Sequence, residues 1–138
     1  MQVLYTAEVT ASGDGRNGHV ASSDGILDFD VRTPKEMGGG GGATNPEQLF
    51  AAGYAACFHS ALKLVAKEFD ADVEGTEVSA AVGIGVGDDG GFGLQVELDV
   101  FAPAMQRDIA ERVVARAHEV CPYSNATRGN VEVTLLVV

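Results

Sequence analysis

Residues 45–69 read NPEQLFAAGYAACFHSALKLVAKEF, and this stretch decides the architecture. Asn45 is a helix cap, Pro46 suits the first helical position, Glu47 complements the dipole in the first turn, and Gln48 follows three residues after the cap. The pattern predicts a helix running to about Phe69. Its first half is apolar all round and rich in Ala51, Ala52, Gly53, Ala55 and Ala56, small residues that let another backbone approach closely. His59, Lys63 and Lys67 then form a wet stripe at i, i+4 spacing. One half is expected to be buried and the other to emerge.

Upstream, Val3, Tyr5, Ala7 and Val9 alternate with Leu4, Thr6, Glu8 and Thr10, the period of a strand. GDGRNG at 13–18 and SDG at 23–25 turn the chain, and 19–22 and 26–33 supply two more strands of a meander. Residues 34–45 form a loop whose five glycines at 38–42 serve either close backbone approach or a hinge. Downstream, 76–86 and 94–102 read as a hairpin across GDDGGFG. Pro103 opens a second helix with Ile109, Val113, Ala117 and Val120 as its apolar stripe, and Pro122 ends it. CPYSNATRGN at 121–130 reads as a loop and VEVTLLVV at 131–138 as a closing strand. Strands, helix, hairpin, helix and strand make an α+β class with antiparallel sheets.

A chain of 138 residues is one domain, 1–138, and with 46% apolar against 21% charged residues it has the material for a core. The net charge of -11 argues against nucleic acid, which is bound mainly through Lys and Arg. The longest apolar run, 49–58, is well short of the ~20 residues of a bilayer span. MQVLYTAEV carries no basic flank and no cleavage site, so the expected setting is cytoplasmic, with no membrane partner. In that reducing setting, chemistry between the two cysteines should be transient.

Cys57 lies about three turns into the first helix, where a cysteine commonly serves as a small core hydrophobe. Cys121, at a helix end before proline, is the more accessible position. With His59 and His118 the cysteines offer a zinc donor set, but Cys57 and His59 project ~200° apart on a helix, which argues against a metal. Arg16 in GDGRNG is an exposed turn cation unless it serves a thiol. A guanidinium ~4 Å from a sulfur gives a gross attraction of ~4 kcal/mol at an effective dielectric near 20, worth up to ~3 pKa units against the rise that burial imposes. Glu47 is explained by the helix dipole alone. Ten helical residues rise ~15 Å, so Glu47 reaches Cys57 only through an intermediary such as Arg16 or from a second subunit.

TNPEQLFAAGYAACF at 44–58 and VCPYSNATRGN at 120–130, supported by GRNGHV at 15–20 and the glycine-rich loop after TPKEMG, carry a pattern. Over nearly its whole length the chain resembles the organic hydroperoxide resistance (Ohr) branch of the OsmC/Ohr superfamily. The resemblance implies a thiol-dependent peroxidase with no metal and no bound cofactor, reducing alkyl and fatty-acid hydroperoxides. It implies Cys57 as the peroxidatic cysteine, Cys121 as the resolving cysteine, Arg16 as the basic residue that activates the thiolate and Glu47 as the carboxylate that orients Arg16. Dihydrolipoyl groups on lipoylated proteins are the implied reductant. The implied assembly is an intertwined homodimer in which sheets from both chains flank two central helices. Groups around each Cys57 are then expected from both subunits.

Met37, Leu49, Phe50 and Tyr54 could line a channel for an alkyl tail or be plain core. Two other functions fit less of the pattern: an OsmC-branch peroxidase with a different substrate balance, and a non-catalytic dimer that binds apolar ligands.

Overall fold

The computed structural model describes residues 1–138, which divide into two compact units, Met1–Leu49 and Phe50–Val138. In the first unit, β1 (Val9–Ser12), β2 (His19–Ser22) and β3 (Asp28–Asp30) form an antiparallel sheet in the order β1-β2-β3. The meander is present, but its first strand starts at Val9. Residues 1–8 are exposed and join no ladder, although their alternation predicts a strand from residue 3. A strand needs a partner for its N–H and C=O groups, and this chain supplies none there beyond a bond from Ser23 N to Glu8 O.

The glycine-rich segment serves close approach. A Cβ on Gly39 would stand 2.1 Å from the Thr33 carbonyl oxygen, and one on Gly18 would stand 2.2 Å from that of Ser12. Side chains are excluded at both positions, so the 31–44 loop folds back on Thr33 and the GDGRNG turn closes on Ser12, and the two segments are joined by hydrogen bonds. Asn17 Oδ1 accepts from Thr33 N at 3.1 Å, and Arg32 Nη1 donates to the Gly18 carbonyl at 3.0 Å.

Helix α1 (Pro46–Ala66) begins as the sequence predicts, with Gln48 N donating to Asn45 Oδ1 at 2.9 Å, and a 3-10 turn at Lys67–Phe69 ends it. The expected wet stripe is present, with Lys63 and Lys67 exposed, but most of what this single chain buries also lies in the second half of the helix. Tyr54, Phe58, Ala61, Leu62, Val65 and Ala66 are buried, whereas Ala52 and Ala56 are exposed. The large side chains decide this, because fully burying one such as Phe58 or Leu62 contributes ~1.5–3 kcal/mol while an alanine offers little area. With its 3-10 extension the helix is long and apolar enough to cross a bilayer, yet Tyr54, Phe58, Leu62 and Val65 are core residues of the second unit.

β4 (Glu77–Val86) and β5 (Phe92–Phe101) form the hairpin, and β6 (Glu132–Val137) lies beside β5 in the order β4-β5-β6. β6 runs parallel to β5, so the sheets are not antiparallel throughout. An intervening helical segment reverses the chain and brings it back alongside the hairpin. Val96, Leu98 and Val100 pave the buried face of this sheet. Against them lie α1 residues and the stripe of α2 (Arg107–Val120), whose buried members are Ala110, Val113, Val114 and Ala117. α2 starts at Arg107 rather than at Pro103, which sits in the turn before it. Residues 122–127, expected as loop, are a short helix α3 (Pro122–Thr127). Pro122 ends α2 and at the same time opens α3, since a first-turn proline has no N–H to leave unpaired.

Candidate functional site

Within residues 50–138 the fold brings the two cysteines together. Cys57 lies on α1 and Cys121 at the junction of α2 and α3, and the Cys121 thiol donates to Cys57 Sγ across 3.8 Å. Both are free thiols. Cys121 is fully buried, whereas Cys57 is partly open. This corrects the expectation that Cys121 is the more accessible: the junction buries Cys121 completely, and mid-helix Cys57 is the less buried of the two.

The α2–α3 junction is held at both ends. Cys121 N donates to the Ala117 carbonyl, closing α2, and Asn125 N donates to the Cys121 carbonyl, opening α3, both at 2.9 Å. The first N–H groups of a helix lack intrahelical acceptors, and that of Tyr123 acts on the Cys57 thiol to hold its pKa down. Burial pushes the Cys57 thiol up; the Tyr123 N–H opposes this, and the proximity and hydrogen bond of Cys121 add to the rise. All of these influences arise within residues 50–138.

The other two predicted residues meet within residues 1–49. Arg16 Nη1 and Nη2 donate to Glu47 Oε2 and Oε1 at 2.8 Å each, a bidentate pair. The Arg16 side chain is 37% exposed and that of Glu47 13%, so the cation keeps a face to solvent while the carboxylate is largely covered. Hydrogen bonding to Arg16 holds the Glu47 carboxyl below the usual carboxylate range, and the same bond raises Arg16. Arg16 stands in a 3-10 turn, Gly15–Asn17, closed by Asn17 N to Asp14 O and Gly18 N to Gly15 O. Glu47 is fixed by the first turn of α1.

The two histidines weighed as metal donors each have a side-chain partner: His59 Nε2 lies 2.9 Å from Thr76 Oγ1 and His118 Nδ1 lies 2.8 Å from Ser124 Oγ. Of the candidate channel residues, Tyr54 is core, with no exposed surface. Met37 is exposed, and Leu49 and Phe50 are half-buried. Phe50 meets the rings of Tyr54 and Tyr123 edge-on, at 6.1 and 6.2 Å between centroids. Tyr123, absent from the sequence-based candidates, lies over Gly53, where a Cβ would come 2.8 Å from its hydroxyl. The signal for it was Pro122 as a helix start, which places the Tyr123 N–H among the unpaired first-turn donors.

Chemically, the arrangement is a dithiol with an accessible member and a shielded one, able to pass between thiol and disulfide if the sulfurs close from 3.8 Å to the ~2.05 Å of a bond.

A sequence profile of the family described as OsmC-like protein matches residues 38–136. The organic hydroperoxide resistance protein of Xanthomonas axonopodis pv. citri is 54% identical, over 97% of this chain and 94% of its own length. Among solved structures, an organic hydroperoxide resistance protein of Elizabethkingia anophelis with thiocyanate bound is 54% identical, with a TM-score of 0.92 over 99% of this chain and 98% of that one. A Vibrio cholerae protein assigned to organic hydroperoxide resistance, with captopril bound in one of its active sites, is 49% identical, with a TM-score of 0.92 over 99% of this chain and 94% of that one.

Proposed function

We propose, on the premise that this chain belongs to the OsmC-like family and stands among its organic hydroperoxide resistance proteins, that it is a thiol-dependent peroxidase for alkyl and fatty-acid hydroperoxides. The observation that carries this reading is the pair of free thiols 3.8 Å apart, one open and one buried. The Cys57 thiolate attacks the distal peroxide oxygen; the O–O bond breaks, the alkoxide takes a proton and leaves as the alcohol, and Cys57 becomes a sulfenic acid. Cys121 then attacks that sulfur. The S–S bond forms, the S–O bond breaks, and the Cys121 proton leaves with the hydroxyl as water. An external dithiol, a dihydrolipoyl group, reduces the disulfide and is itself oxidised to its cyclic disulfide. Captopril, itself a thiol, in an active site of the Vibrio cholerae protein supports entry of such a reductant.

The chain's own surroundings of Cys57 push its thiol up, so a thiolate at neutral pH needs a cation. In this reading Arg16 supplies it, aimed by Glu47, and the working unit is a homodimer in which the Arg16–Glu47 pair of one subunit serves Cys57 of the other. The exposed Ala52 and Ala56 on α1 and the unpaired residues 1–8 support a second copy. The proposed setting is the cytoplasm, where dithiol reductants keep the cycle running.

The test is consumption of cumene or linoleic hydroperoxide with dihydrolipoamide, for the native chain, Cys57→Ser and Cys121→Ser. Loss of turnover in both variants supports the peroxidase. Full turnover in Cys57→Ser rejects it, and equal rates with hydrogen peroxide favour a different substrate balance.

A further inference from the structure

A hydrogen-bonded chain that the two redox steps do not use runs beside both sulfurs. Tyr54 stands three residues before Cys57 on α1, and His118 and Ser124 stand three residues to either side of Cys121. Tyr54 Oη lies 2.9 Å from Ser124 Oγ and 3.2 Å from Thr127 Oγ1, and Ser124 Oγ lies 2.8 Å from His118 Nδ1. Thr127 Oγ1 also reaches the carbonyls of Tyr123 and Ser124, at 3.0 and 3.2 Å. Tyr54 and Ser124 have no exposed surface. Three helices are thus tied together one turn away from each thiol. Hydroxyls in such a place are costly if left unpaired and fix one geometry when satisfied, whereas apolar groups of the same shape would fill the space as well.

We propose that Tyr54, Ser124 and His118 are positioning residues for disulfide closure, holding the α2–α3 junction against α1 so that Cys121 captures the Cys57 sulfenic acid before a second peroxide does. The inference rests on the peroxidase reading and deepens it. Two reactions compete for the sulfenic acid. In one, Cys121 displaces its hydroxyl as water and the S–S bond forms. In the other, a second hydroperoxide transfers an oxygen to sulfur, releases an alcohol and leaves a sulfinic acid. Only the first depends on the distance between α1 and the α2–α3 junction. Removing one hydroxyl from the tie should slow closure roughly 3- to 10-fold, the factor set by one net hydrogen bond.

The experiment treats the native chain, Ser124→Ala and Tyr54→Phe with excess cumene hydroperoxide without reductant and measures, by peptide mass, the ratio of sulfinic acid at Cys57 to Cys57–Cys121 disulfide. That ratio is independent of how fast the first oxidation runs, so a general loss of fitness does not move it. The expected result is a ratio roughly 3- to 10-fold higher in the variants. Ser124→Ala keeps the Tyr54 ring in the core and preserves the test if Tyr54→Phe fails to fold. A native ratio in the folded variants overturns the positioning role while leaving the peroxidase standing. A native chain that forms no disulfide overturns the peroxidase reading itself, and the inference with it.

Discussion

In residues 1–49 a guanidinium meets a carboxylate through two bonds of 2.8 Å, and in residues 50–138 two thiols meet across 3.8 Å. The first pair is polar and turns a face to solvent; the second has one member sunk completely among apolar side chains. Each lacks what the other has. Arg16 is a cation held by its partner carboxylate, and Cys57 is a thiol whose burial pushes its pKa up. The difference teaches that residues 1–49 fix a cation and residues 50–138 fix a thiol pair, each by its own contacts, and the proposed peroxidase requires both at one site.

Predictions that break the comparison begin with the thiols. Cys57→Ser should lower hydroperoxide turnover with dihydrolipoamide to background, because a serine hydroxyl at neutral pH is neither ionised nor oxidisable in this way. Arg16→Ala should follow, with a fall of roughly 30-fold or more. Half of the ~3-unit pull available to a guanidinium is ~1.5 units of thiol pKa, and thiolate fraction follows it. A pH profile of thiol alkylation checks this directly: the midpoint should rise in Arg16→Ala. An unchanged midpoint would separate Arg16 from Cys57 altogether.

Glu47→Gln should cost less, roughly 3- to 10-fold in turnover, since Arg16 keeps its charge and loses only its aim. The smallest effect is on stability. Arg16 lowers the folded pKa of Glu47, so the pair stabilises the fold above the unfolded carboxylate range near 4.5, and that contribution is lost as the pH falls through the depressed folded value. With the Arg16 side chain 37% exposed, water screens the bond to at most about 1 kcal/mol. Urea denaturation of the native chain and Glu47→Gln should therefore differ by about that amount at pH 7 and converge as the pH falls below the depressed folded value. A difference that persists in acid would mean Glu47 acts through packing.

How much of this could be read from the sequence varied with the kind of signal. The start of α1 was legible because a cap, a first-turn proline and an acidic first turn are local chemistry, and the Asn45 cap bond is present. α3 was missed because Pro122 signals a stop and a start equally well, and only the residues after it choose. The direction of β6 was not legible, since an alternating pattern encodes faces and not orientation. The small residues of the first half of α1 signal that something approaches closely without showing whether it belongs to the same chain, and in this single chain Ala52 and Ala56 are exposed. Cys57 and Cys121 stood out as the only cysteines; the ~15 Å rise from Glu47 to Cys57 left Arg16 as one possible intermediary, and the resemblance singled out the Arg16–Glu47 pairing. The tie from Tyr54 to Ser124 joins residues 70 positions apart, beyond any periodicity.

The central claim is that Cys57 and Cys121 form one redox couple. Intact mass and peptide mapping after a single equivalent of organic hydroperoxide test it most directly. The account predicts a chain lighter by two hydrogens, with Cys57 joined to Cys121, and full return to the dithiol on adding dihydrolipoamide. A chain of unchanged mass, or one carrying added oxygen with both cysteines still unlinked, would contradict it.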